Sequence, residues 1–219
     1  MSEDQQRPTG RPRDPDISER LIRAALEEYA QTGWASFTMQ GVARRAGVGK
    51  SALYRRWATK EQLLIDSVES VAVPLATTSD SGSLREDLTD AAARLLLHFL
   101  DPVGWATLRI SIDATSSLTM IDPFQKRINQ AVRYGLTAIF TRATERGEIA
   151  PDVPVLPLVQ SLVGSTLMHV LSLHPDERDD ARRNAAAHVE PLVDVIIRSA
   201  AHYPGSRPGA HSACAETHS

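Results

Sequence analysis

The sequence predicts an all-α protein of about nine helices, and three observations predict it. Alanine and leucine recur throughout, while aromatic residues make up only 5% of the 219 positions. Apolar side chains return every three or four residues instead of alternating. Most of these runs open on a side-chain acceptor and close on glycine or proline. No strand-and-hairpin pattern, internal repeat or heptad array interrupts them.

Residues 1–13 hold Arg7, Arg11 and Arg13 among Pro8, Gly10 and Pro12, and are expected to form a flexible basic arm. Asp14 followed by Pro15 starts the first helix. Its stripe is Ile17, Leu21, Ala24, Ala25, Leu26 and Tyr29, and Gly33 stands where a closing glycine belongs. Thr38 caps a second, short helix with Val42, Ala43 and Ala46 inward, stopped by Gly47. Gly41 takes its third position, where an acidic residue would cap better. After Val48 and Gly49 the run KSALYRRWA forms a third helix, with Leu53 and Trp57 on one side. Thr59 and Gln62 box the start of a fourth, which carries Leu63, Leu64, Val68 and Val71 and ends near Pro74.

The polar stretch 76–83 marks a boundary. Ser83 with Glu86 opens a fifth helix, which ends at Asp101–Pro102, and a sixth spans roughly 103–115. Asp122–Pro123 begins the longest, closed by Gly147. Two more cover about 155–173 and 177–202. Gly164 and Ser165 permit close helix approach in the former, and Pro191 should kink the latter or mark a staggered start. The domains expected are an arm at 1–13, a helix-turn-helix unit at 14–75, a helical body at 83–202 and a disordered tail at 203–219.

Net charge is -3, but it is split. Residues 1–60 hold 11 Lys/Arg against 7 Asp/Glu, and the rest hold 13 against 20. Arg44, Arg45, Lys50, Arg55, Arg56 and Lys60 fall within 32–60, which has no acid. A basic head on an acidic body points to a polyanionic partner. The one cysteine, Cys214, excludes an intrachain disulfide and a cysteine-rich zinc site. No signal peptide and no membrane span is visible, so a cytoplasmic protein is expected. Phosphate-loop, GxGxxG, HExxH and GxSxG motifs are absent from the sequence, which argues against an enzyme. No cofactor or metal site is expected.

The second helix, its glycine turn and the third helix have the dimensions of a helix-turn-helix, whose second helix enters a major groove. With Val42, Ala43, Ala46, Gly47, Val48, Leu53 and Trp57 forming its core, Lys50, Ser51 and Ala52 are left to meet base edges. Lys50 can donate to guanine, Ser51 can donate or accept, and Ala52 can touch a thymine methyl. Gln40 is a second amide reader. Thr38, Arg44, Tyr54, Arg56 and Lys60 lie where phosphates should run, and position rather than specify. Tyr54 could instead be a core aromatic, and Arg44 with Arg45 could simply solubilise the surface.

The segment FTMQGVARRAGVGKSALYRRWATKEQLL resembles the N-terminal domain of the TetR/AcrR family of bacterial transcriptional regulators. The resemblance rests on Thr38, Val42, Ala43, Ala46, Gly47, Val48, Leu53, Tyr54, Trp57, Lys60, Glu61 and Leu63. It implies the same base-reading positions, and Thr38, Tyr54, Arg56 and Lys60 as the phosphate-binding ones. It further implies an N-terminal three-helix helix-turn-helix domain joined through the fourth helix to a helical ligand-binding and dimerisation domain. Gly41 and Gly49 depart from the family pattern and are expected to loosen local helix ends.

The function implied is a dimeric, sequence-specific transcriptional regulator, in most cases a repressor. It would be released from a near-palindromic double-stranded operator by a small, mainly apolar effector. The alternatives are an activator of the same fold, or a helical interaction module whose basic face binds an acidic protein. For the effector pocket the candidates are Phe99, Trp105, Leu108, Arg109, Ile112, Phe124, Ile128, Met168 and His169. His98, Asp113, Asn129 and Gln160 are further polar groups that could orient a ligand. For a homodimer interface they are Leu162, Gly164, Ser165, Leu192, Val193 and Ile196.

Overall fold

Each helix begins and ends where local chemistry stops the backbone. A computed structural model describes residues 15–115 and 122–203. The arm expected at 1–13 and nearly all of the tail lie outside the described residues. Helix α1 (Pro15–Ser36) turns at Gly33, whose φ of 65° and ψ of 176° suit glycine almost alone. Helix α2 (Met39–Ala46) is capped by Thr38, which accepts from the Gly41 N–H, and Gly47 closes it in the left-handed conformation at φ 65°. Helix α3 (Lys50–Tyr54) is too short to stand alone, and burial of Leu53, worth about 2 kcal/mol, pins it to the core. Helix α4 (Lys60–Ala76) starts on the Thr59 cap and runs through Pro74.

Ser83 caps α5 (Leu84–Leu100), and α6 (Pro102–Thr115) follows after a tight corner at Asp101. Then come α7 (Asp122–Glu145) and α8 (Val155–Ser172). A 3-10 turn (Pro175–Glu177) leads into α9 (Arg178–Arg183) and α10 (Ala185–Ala201). The described residues thus form ten α-helices, in keeping with the nine or so expected. The last expected helix divides at Asn184, whose φ of -118° and ψ of 37° break the run, while Pro191 sits inside α10.

Two apolar clusters organise these elements. In the first, Tyr29, Phe37, Val42, Leu53, Trp57, Leu63 and Leu64 bind α1 to α4 into the N-terminal unit. Ala106 and Ile110 of α6 belong to that same cluster. The second joins α5, α7, α8, α9 and α10 around Leu88, Leu96, Phe140, Leu162 and Val193. The sixth helix also packs on α5 and α7, so it serves both halves of the molecule.

The close helix approaches are not at Gly164, where an added Cβ would meet nothing within the subunit. They are at Gly104, against the His98 carbonyl, and at Gly135 of α7, against the backbone of Ala76. Leu162, Val193 and Ile196, expected at a dimer interface, are buried inside the subunit. A 3.6-residue period shows that a face is apolar but not what covers it. The large apolar side chains that α8 and α10 leave exposed are Leu156, Met168, Leu171 and Val195. The expectation that nothing approaches a membrane span also needs correction. Among the described residues, α8 is long and apolar enough to cross one by length and composition. Here it packs on α5, α7 and α10.

Gly33→Ala is expected to lower stability by about 1–3 kcal/mol, through the glycine-only backbone angles. The new methyl would also crowd the Arg109 guanidinium. A lower urea midpoint at unchanged slope checks it.

Candidate nucleic-acid interface

The outer face of α2 and α3 is basic and polar. Gln40, Lys50 and Ser51 are exposed and Ala52 is half-buried. Lys50 Nζ donates to Gln40 Oε1 at 3.0 Å, so two of the base-reading candidates are hydrogen-bonded to one another. Tyr54 is 54% exposed, which rules out the core-aromatic alternative. Thr38 and Arg44 are exposed beside it. No carboxylate occurs between Glu28 and Glu61, so no acidic residue of that segment offsets the cations.

Two of the phosphate candidates are already engaged. Lys60 Nζ donates to the carbonyls of Trp34 and Phe37, both at 3.3 Å, and stands 4.1 Å over the Trp34 ring. Its charge closes the C-terminal end of α1, where a cation offsets the helix dipole. Arg56 donates to Ser18 Oγ at 3.0 Å and to the Ala52 carbonyl at 3.0 Å, tying the end of α3 to α1. Among the described cations, Arg44, Lys50 and Arg55 are exposed on this face.

Below the face, one acid that sequence reasoning missed sets the geometry. Glu28 of α1 is 4% exposed and takes Arg45 in a two-point contact, with Nε and Nη2 both 2.9 Å from Oε2. Arg45 therefore braces α2 against α1 and is not merely solubilising. A Cβ at Gly41 would run into Glu28 Oε1. Glycine at position 41 leaves room for this carboxylate beside the first turn of α2. A buried acid on an amphipathic helix looks like a solvated one in sequence, so no signal marked it. Trp57 is structural, and its Nε1 donates to Asp66 Oδ2 at 2.7 Å.

A cavity of about 750 Å³ opens between α5, α6, α7 and α8, within the range for small-molecule sites. Phe99 and Leu108 line it as expected, with His98, Thr107, Ser111, Asn129, Gln130 and Gln160 as neutral polar groups and Lys126 and Arg133 as cations. Other predicted liners lie elsewhere. Trp105 borders a smaller groove with Glu27, Ala30, Gln31 and Pro102. Arg109 donates to the Ala30 carbonyl at 2.8 Å and lies 3.7 Å from Asp113, which accepts from Tyr29 Oη at 2.9 Å. Burial, with Asp113 beside it, pushes the Tyr29 hydroxyl well above its ordinary pKa. These groups lock α6 to α1 and do not face the cavity.

Ile112 and Met168 are more than half exposed. His169 turns to α10, its Nε2 3.1 Å from His188 Nδ1, and His188 in turn meets Asp180 at 3.0 Å. The side chains of Phe124 and Ile128 lie outside the described residues.

Comparison with known proteins agrees with this geometry. The family profile described as bacterial regulatory proteins, tetR family, matches residues 21–66. A tetracyclin repressor-like C-terminal domain profile matches residues 78–189. The chain is 28% identical to the transcriptional regulator AqdR of Rhodococcus erythropolis, over 71% of this chain and 74% of that one. It is 27% identical to the DNA-binding transcriptional repressor TetR of Mycobacteroides abscessus, over 85% and 94%. Among solved structures, Salmonella enterica GusR shares the fold at a TM-score of 0.61 and 16% identity, covering 85% of this chain and 97% of that one. The regulator FadR from Bacillus subtilis, solved with stearoyl-CoA, does so at 0.54 and 17%, over 84% and 97%.

Proposed function

The chain belongs to the tetR family of bacterial regulatory proteins, a family of DNA-binding transcriptional regulators and not of enzymes, and from that premise we propose that it is a homodimeric repressor released from its operator by a small, mainly apolar effector. One observation carries the reading. Helix α6 lines the cavity through Thr107, Leu108 and Ser111, and enters the core of the DNA-binding unit through Ala106 and Ile110. A ligand that moves α6 moves α1 with it. The effector must favour the arrangement that fits DNA less well, because equal affinity for both would shift nothing.

In this reading Gln40, Lys50, Ser51 and Ala52 meet base edges, while Thr38, Arg44 and Tyr54 hold phosphates. Arg56 and Lys60 contribute charge while bracing α1. Two subunits would pair through α8 and α10, using the exposed Met168, Leu171 and Val195. Two recognition helices one duplex turn apart would then read a near-palindrome. The effector would occupy the 750 Å³ cavity. The same fold in the Bacillus subtilis FadR structure holds an acyl-CoA, which supports an apolar ligand at the level of fold alone.

Selection of genomic fragments at near-physiological salt tests this. Recovery of one short near-palindrome, with its specificity retained as salt rises, is the expected result. Recovery of unrelated fragments from folded, dimeric protein would overturn it and favour the acidic-partner alternative. Placement of the site over or upstream of a promoter decides between repressor and activator. On the recovered operator, Lys50→Ala should cost about 1–3 kcal/mol and relax one or two positions, whereas Tyr54→Phe should weaken all sequences evenly. Equal losses on operator and random DNA for Lys50→Ala would remove it as a base reader.

A further inference from the structure

We propose that His98 is the polar anchor of the cavity, and that its Nδ1 selects mainly apolar ligands carrying a hydroxyl or N–H donor. The proposal rests on the effector-cavity reading above and gives that effector a chemical class.

The proton count fixes the ring. Thr107 has one hydroxyl proton, and it goes to the Gly104 carbonyl at 2.8 Å. The Thr107 oxygen can then only accept from His98 Nε2, 2.9 Å away. The proton of the neutral ring is therefore on Nε2, and Nδ1 is an acceptor. No hydrogen bond to Nδ1 occurs among the described residues. The ring stays neutral, because burial outweighs the pull of Asp101 and holds the imidazole down at about 4.

The surroundings make this acceptor selective. His98 packs against Phe99, with ring centroids 5.4 Å apart, and Leu95 and Leu108 line the same space. Thr107 is buried and its hydroxyl is held by the Gly104 carbonyl, since turning it toward the ring would leave two oxygens 2.8 Å apart with no proton between them. A ligand donor pairs with Nδ1, whereas an ether or hydrocarbon in its place leaves the acceptor dry and unpaired. Sites of this kind reject the analogue lacking the group. Asn129, Gln130 and Gln160 also line the cavity, but an amide both donates and accepts and so discriminates little, while Lys126 and Arg133, on α7, can only donate and so do not compete for a ligand's donor.

The test uses the full chain and three matched probe pairs: 2-naphthol with 2-methoxynaphthalene, 4-phenylphenol with 4-methoxybiphenyl, and 1-decanol with decyl methyl ether. Calorimetry should show the hydroxyl member binding about tenfold tighter, the yield of one hydrogen bond. His98→Phe should bring the ratio near one while leaving ether affinity within about twofold. Nitrogen-15 spectra of the ring should show Nε2 protonated and Nδ1 bare, and Thr107→Val should lose that pattern. Equal binding of both members of every pair would overturn the donor selectivity and leave the effector cavity standing. A bare Nε2 with protonated Nδ1 would overturn it through the tautomer alone. Failure of all six probes to bind would remove the cavity reading and the proposal with it.

Discussion

Gly135→Ala should be among the most damaging single-methyl changes in this protein, at about 3 kcal/mol. The Cβ would enter the carbonyl and Cα of Ala76, at the end of α4. A flexible side chain could swing aside, but backbone can yield only by moving the helix. The gain of about 1 kcal/mol from replacing helical glycine by alanine does not cover this cost. The displaced element is the helix that leads from the DNA-binding unit to the rest of the chain, so operator affinity should fall together with the urea midpoint. Gly164→Ala is the matching contrast. It adds the same methyl to α8 in open space, and should be neutral or stabilising by up to about 1 kcal/mol. Equal effects of the two changes would refute the close α4–α7 crossing.

The second large effect is a reversal. Glu28→Ala should cost about 1–3 kcal/mol, because it removes the carboxylate that ties Arg45 of α2 to α1 and leaves the partly exposed guanidinium with Gln31 alone. Gly41→Ala alone should cost about 1–3 kcal/mol, since its methyl and the Glu28 carboxylate claim one volume. In the Glu28→Ala background the same Gly41→Ala change should be neutral or should stabilise α2. A double-mutant cycle by chemical denaturation reads this directly. Additivity of the two changes would show that Gly41 is not the room left for Glu28.

These two positions also show where sequence reasoning works and where it stops. Thr38, Thr59 and Ser83 were legible as caps because capping is a contact within one turn, and each accepts the expected backbone N–H. Gly47 was legible for the same reason. The helix-turn-helix followed from such local signals together with its family resemblance.

Contacts between helices distant in sequence were not legible. Arg109 and Ile112 lie on a helix with one face on the cavity and another toward α1, and periodicity does not say which side chain faces which neighbour. Leu162, Val193 and Ile196 were recognisably apolar, but the α5–α8–α10 packing that buries them is a tertiary fact. Gly41 resembled a weak helix start only because the acid that complements it sits thirteen positions earlier, on another helix.

The double duty of α6 bears on how this protein could diverge. If the cavity holds the proposed effector, a substitution on that helix is read twice, once by that ligand and once by the seating of α1, so drift there is held by two constraints. The α8 wall, with Leu156, Val159, Gln160, Val163 and Leu167, packs on α5, α7 and α10. Change on that wall can reshape what the cavity accepts without retuning the DNA-binding head. New ligand preferences would therefore accumulate on α8 first, while α6 stays the slow-changing part of the pocket.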